Sequence, residues 1–157
     1  MVALRSLTVA VLGFAAVACL AGMLLFSDVA LAFFYSVFGN QVYALTVEYY
    51  VDSTPDFRFS VARTRIPVEC VLSGFSVREL GESEAANATL TLNVLVYVLN
   101  RQKQFQGSFT FNDAKPRAIT VYLPHVKASD GLVTVEVSGF YNQAPLEAGA
   151  QLKLEEA

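Results

Sequence analysis

The spacing of apolar residues along the chain changes character once, near residue 40. Before that point apolar residues run almost unbroken. From Ser6 to Phe26 there are 21 uncharged residues, which as a helix rise roughly 31 Å at about 1.5 Å per residue, close to the ~30 Å hydrocarbon thickness of a bilayer. The run continues through "MLLFSDVALAFFYSVFGN" (23–40), whose only charge is the carboxylate of Asp28. With no proline in it, the stretch predicts one continuous helix from about Leu7 to at least Phe34. Leu7, Val11, Phe14, Leu20, Leu24, Asp28, Phe33 and Phe34 are then the residues that meet lipid or a packing partner.

After Gly39 the period shortens to two, and strand formers are bounded by turn signals at intervals of roughly ten residues, the signature of a sandwich or barrel. "VYALTVEYYV" (42–51) is the first predicted strand, and "FRFSVARTRI" (57–66) the second, with Phe57, Phe59 and Val61 on one face. Pro67 demotes the second to a sheet edge or forces a bulge. "VECVLSGFSVREL" (68–80) is read as a third strand bent at Gly74. "TLTLNVLVYVL" (89–99) carries Leu90, Leu92, Val94, Val96 and Val98 on one face, while Leu95, Tyr97 and Leu99 make the second half of the other face apolar, predicting cover on both sides there. "QFQGSFTF" (104–111), "RAITVYL" (117–123), "LVTVEVSGFY" (132–141) and "AQLKL" (150–154) complete the set. The fold class expected is mainly β: a long apolar helix over 1–40, then an antiparallel β-sandwich of about eight strands over 41–157. Leu92, Val94, Val96, Phe109, Val121 and Val135 should be buried together between its two sheets.

Composition changes this picture little. The chain has 157 residues, 54% apolar and 16% charged, room for one anchor and one domain of roughly 110 residues. The apolar excess lies before residue 48, where Arg5 and Asp28 are the only charges. A net charge of −3, with Arg58, Arg63, Arg65, Arg78, Arg101 and Lys103 interleaved with acids, leaves no basic footprint and argues against nucleic acid as a partner. Arg5, with no basic residue after it until Arg58, places the N-terminus in the cytoplasm and the β domain outside it.

Three fates are open to the N-terminal segment. Ala30-Leu31-Ala32 has the small-x-small form that signal peptidases cut, so cleavage after Ala32 would release a secreted sandwich. A retained anchor would put Asp28 at the outer interface and Phe33, Phe34 and Tyr35 in an aromatic belt. A lipoprotein cut before Cys19 is disfavoured, because Ala16-Val17-Ala18 is a poor lipobox. The third fate follows from a resemblance. Arg5-Ser6 directly ahead of "LTVAVLGFAAVACLAGMLLF" resembles the leader-processing site of archaeal type IV pilins. That resemblance implies a helix that leaves the membrane to pack in a filament core, with a β-sandwich carried outside. The acidic residue that bacterial pilins carry near the start of the mature helix has no counterpart here. A fainter resemblance, through "ATLTLNVLVYVLN" (88–100), is to the desiccation-type late-embryogenesis-abundant family, which implies a single membrane span followed by an accessory or ligand-binding sandwich. Leu99-Asn100-Arg101 stands where that family usually has Asn-Pro-Asn.

Reactive side chains are sparse. His125 is the single histidine, and Cys19 and Cys70 lie in the apolar segment and in a predicted strand, so neither a zinc site, a triad nor a disulfide is expected. Cys70 reads as a small buried apolar residue. Glu79, Glu82 and Glu84 read as part of a solvated loop rather than a calcium site, and "RTR" (63–65) as charges guarding a sheet edge. Asn87-Ala88-Thr89 is an N-glycosylation sequon on the side expected to be extracytoplasmic. No cofactor and no enzymatic constellation is expected. The expected function is a non-enzymatic, pilin-like cell-surface subunit whose partners are membrane lipid or copies of itself through the N-terminal helix.

Overall fold

The computed structural model describes residues 8–18, 27–51, 55–82, 88–99 and 102–155. Residues 8–18 are helical (α1), and a second helix, α2, spans Ser27–Phe38. The expectation of one unbroken helix turns on residues 19–26, which lie outside the described residues, as do Leu7, Leu20 and Leu24. Among the described residues no helix is long and apolar enough to cross a membrane.

Eight strands follow among the described residues: β1 Gln41–Val51, β2 Pro55–Arg65, β3 Phe75–Glu79, β4 Leu90–Val98, β5 Gln102–Phe111, β6 Arg117–Leu123, β7 Leu132–Tyr141 and β8 Ala144–Lys153. They form two four-stranded sheets, β2-β1-β6-β3 and β5-β4-β7-β8, and every pairing is antiparallel. Two packed antiparallel sheets are thus what the alternating pattern builds, because each strand offers one apolar face and needs another sheet to cover it.

The core lies between the sheets. Leu92, Val94, Val96, Phe109, Val121 and Val135 are all buried in one cluster, joined by Leu45, Val47 and Tyr49 of β1 and Ile119 of β6. Burying each such side chain is worth about 1.5–3 kcal/mol before chain entropy is subtracted. β2 is indeed a sheet edge. The Tyr43 hydroxyl donates to the carbonyl oxygen of Glu155 at 2.6 Å, tying the end of the chain to β1.

Three expectations need correction. Residues 68–74 are not strand: Val68–Cys70 form a 3₁₀ turn, and only Phe75–Glu79 enters the sheet. The turn is closed by Cys70 N–H to the Pro67 carbonyl (2.9 Å) and Gly74 N–H to the Cys70 carbonyl (2.8 Å). It forms because Cys70 and Val71 are drawn under α2, into a small cluster with Ala32, Val42 and Ile66. Cys70 is a buried, free thiol, in this turn and not in a strand. The second half of β4 is not covered on its outer face either: Leu95 and Tyr97 are half-buried and Leu99, just past the strand, is 58% exposed. Tyr97 satisfies its hydroxyl at that surface by donating to Glu136 at 2.6 Å. Finally, β8 starts at Ala144, six residues earlier than the apolar alternation suggested. A two-residue turn at Asn142-Gln143, both at positive φ (48° and 74°), closes the β7–β8 hairpin. Asn142 is braced from both sides, its N–H donating to the Thr89 carbonyl and its Oδ1 accepting from the Thr89 N–H.

Candidate functional site

The feature that sets this molecule apart from an ordinary sandwich is the helical segment that leads into it. In α1 every side chain is exposed. At 3.6 residues per turn, Val9, Val11, Leu12, Phe14 and Val17 point in all directions around the axis. A helix apolar on all sides has no face suited to water, and such helices are found inside large cores or membranes. Val11 and Phe14, the latter 77% exposed, are two of the residues singled out from the sequence for contact with lipid or a partner.

α2 differs, because one side of it is already covered. Ala32 and Ser36 are buried, and Val29 and Tyr35 pack beside them against Val42, Ile66, Cys70 and Val71. The opposite sector, roughly 140° of arc, carries Phe33 (55% exposed), Phe34, Val37 and Phe38 (67% exposed). Phe34 and Phe38, one turn apart, lie with ring centroids 4.5 Å apart. Tyr35, expected in the same aromatic belt, instead turns inward. Asp28 is the second residue of α2.

The C-terminal end of α2 is fixed to the sheet by a cation supplied from a distance. No basic residue occupies the last turn of the helix. Arg65, at the end of β2, donates from Nε (3.3 Å) and Nη2 (3.0 Å) to the carbonyl oxygen of Ser36. This satisfies one of the carbonyls a helix leaves open and places positive charge at the negative end of its dipole. Gly39, at φ 70°, reverses the chain so that the Asn40 N–H reaches the Tyr35 carbonyl at 3.0 Å. Two residues later the chain is in β1. The expected pair Arg63 and Arg65 therefore splits: Arg65 caps the helix, and Arg63 lies over the Tyr43 ring at 5.3 Å.

One polar cluster was not singled out from the sequence. Arg117, at the start of β6, is buried at 6% exposure and reaches both carboxylate oxygens of Asp113 from Nη2, at 2.7 and 2.9 Å. Its Nη1 donates to the Tyr49 hydroxyl at 3.4 Å, and its guanidinium lies 4.1 Å from the centroid of the Phe111 ring. Glu79, 3.9 Å away, is also paired with Lys115. Burial pushes the Asp113 carboxyl up, but the Lys115 backbone N–H and the Arg117 guanidinium outweigh it and hold its pKa below the ordinary value. Burial pushes the Tyr49 hydroxyl up. Phe111 comes from one sheet, Tyr49 and Arg117 from the other, so the cluster ties the sandwich together at one end. Its geometry is that of a structural clamp.

The remaining candidates are dispersed. His125 is exposed in the turn after β6, and Glu82 is exposed in the loop after β3. Glu84, Asn87, Arg5, Ser6 and Cys19 lie outside the described residues. Among the described residues no three of His, Cys, Asp and Glu come together as a metal site. No family model matches the chain, and no curated protein or solved structure matches it either.

Proposed function

We propose that the chain is a non-enzymatic, pilin-like structural subunit of the cell surface, its apolar N-terminal helix packed in a filament core and its β-sandwich facing outward. The observation that carries this reading is the apolar surface of α2. The 21 uncharged residues from Ser6 to Phe26 already match a bilayer in length. Phe33, Phe34, Val37 and Phe38 come after them and are exposed on the domain side. A lone anchor leaves this sector in water or at the lipid headgroups, whereas neighbouring helices in a filament would bury it. Covering the exposed half of these four large side chains, at roughly half of the ~1.5–3 kcal/mol that full burial of each is worth, contributes to assembly.

The second reading is a single-pass membrane protein carrying an accessory or ligand-binding sandwich. It is favoured by the same 21-residue length, and by the aromatic residues just beyond it, which suit a membrane interface. The mature N-terminus, measured by intact mass from the native host, separates the readings. A chain starting at Leu7 supports the filament, an intact Met1 the anchor, and a start at Phe33 a secreted domain. Electron microscopy of sheared surface material, comparing wild type with Asp28→Ala and Asp28→Asn, gives the direct test. Absence of filaments from the wild type rejects the pilin-like reading.

A further inference from the structure

Four strands border the two sheets: β2 and β3 in one, β5 and β8 in the other. A border strand presents unpaired N–H and C=O groups and is a template for another strand unless charge, proline or shortness guards it. Three of the four are guarded in this way. β2 carries Asp56, Arg58, Arg63 and Arg65. β3 is five residues long and ends in Arg78-Glu79. β8 contains Pro145, Glu147 and Lys153. β5 is ten residues long; its one charge, Lys103, lies before the slip in its ladder with β4, and from Gln104 to Phe111 it has neither a charge nor a proline.

The same strand has a regular portion suited to pairing with itself. Its ladder with β4 slips at Gln104, where a bulge interrupts the register, and is regular from Phe105 to Phe111. Along that portion Phe105, Phe109 and Phe111 pack against the core, while Gln106, Ser108 and Thr110 are on the outer face and uncharged. Phe75, from the border strand of the other sheet, meets Phe105 and Phe109 edge-on at 5.8 and 5.0 Å, so the apolar layer runs out to this border.

We propose that β5 pairs antiparallel with β5 of a second copy about a two-fold axis at Ser108, joining two four-stranded sheets into one of eight. In this register Phe105 faces the partner subunit's Phe111, and Gln106 faces the partner subunit's Thr110. Gly107, already covered by the Phe105 and Phe109 rings of its own chain, faces the partner subunit's Phe109, so the seam there is lined by aromatic rings. No charge enters the regular portion of the seam, so like charges never meet, and apolar faces apolar while polar faces polar. A two-fold interface of this kind is self-complementary by construction. The pairing is independent of the N-terminal helix and does not require the filament reading.

The test uses the full chain in detergent micelles, with Cys19 and Cys70 replaced by alanine. Ser108→Cys places two thiols on the axis. Under mild oxidation it should give a disulfide-linked dimer about tenfold faster than Asn93→Cys, because pairing raises the effective concentration of the two thiols. Asn93 is exposed on β4, opposite Ser108 of its own chain and one strand in from the border. Association through the N-terminal helix would raise both rates together and leave the ratio near one. In the native-cysteine chain, amide exchange over 105–111 should slow as protein concentration rises, and Ser108→Lys, which adds a guarding charge without touching the core, should abolish that dependence. Equal cross-linking of the two cysteine variants, or exchange over 105–111 that is independent of concentration, overturns the proposal.

Discussion

Replacing Arg117 by methionine keeps most of the side-chain volume and removes the guanidinium from the clamp at the end of the sandwich. Three interactions are lost, and their surroundings set their weights. The Tyr49 hydroxyl, on a residue with no exposed surface, loses its donor, which costs about 1–3 kcal/mol. The cation–π contact with Phe111 contributes about 0.5–2 kcal/mol. The pair with Asp113 adds no more than about 1 kcal/mol, since that carboxylate is 35% exposed and water replaces the guanidinium there. The apolar thioether regains about 1 kcal/mol by burial. A net loss of about 3 kcal/mol is expected, which at a urea slope of about 1–3 kcal/mol per molar lowers the midpoint by roughly 1–3 M. The chain has no tryptophan and 7 tyrosines, so the transition is followed by far-ultraviolet circular dichroism in micelles. Tyr49→Phe alone should cost about 1 kcal/mol, and the double variant less than the sum of the two, because both remove the same hydrogen bond. A midpoint for Arg117→Met equal to or above that of the wild type would refute the reasoning, showing that the apolar replacement fully offsets the clamp.

Other perturbations follow from the same structure. Asp113 is held below its ordinary pKa in the folded state, so folding favours its ionised form. That contribution is complete above the unfolded value, about 3.9, and is lost as pH falls through the folded one; Asp113→Asn should flatten the acid limb of a stability–pH curve and leave its alkaline side unchanged. Gly139→Ala would place a Cβ 1.8 Å from the Thr91 carbonyl oxygen, in the backbone of the neighbouring strand β4; a loss above about 3 kcal/mol or failure to fold is expected, and an unchanged melting temperature would contradict the geometry. Arg65→Gln removes the two-nitrogen contact with the Ser36 carbonyl; amide exchange over 27–38 should speed up while the sandwich loses only about 1 kcal/mol. Cys70, buried and with its thiol pushed up by burial and by Glu69, should resist iodoacetamide at neutral pH in a Cys19→Ala chain until the domain unfolds.

Legibility in the sequence followed how local the cause was. The inward faces of β4 and β5 could be read directly, because Leu90, Leu92, Val94, Val96 and Val98, like Phe105, Phe109 and Phe111, fall on one face of a strand whose side-chain period is two. The 3₁₀ turn at Val68–Cys70 was hidden, since Cys70 and Val71 are buried by α2, an element more than thirty residues away, while Val68 and Leu72 remain exposed. β8 was cut short in the reading because Ala144 to Gly149 offers one large apolar residue, Leu146, and as a border strand it needs little more. The helix-capping role of Arg65 and the clamp around Arg117 were not visible. Arg65 and Ser36 are separated by 29 positions and Arg117 and Tyr49 by 68, and nothing in either neighbourhood announces the partner. The apolar character of the N-terminal segment was plain, because it rests on composition alone.

The link between α2 and the sandwich bears on how the domain withstands force. Tension on the N-terminal segment reaches the domain through Gly39 and Asn40 and enters at the first residue of β1. β1 is an interior strand, paired along its whole length with β2 and along seven residues with β6. A pull directed along it slides it between two neighbours, so the ladder bonds on both sides share the load and must give way together. Had the helix joined a border strand at a free end, the same pull would have peeled the bonds apart singly. Arg65, on the flanking β2, also holds the last turn of the helix, so part of any load passes to a second strand before β1 bears it.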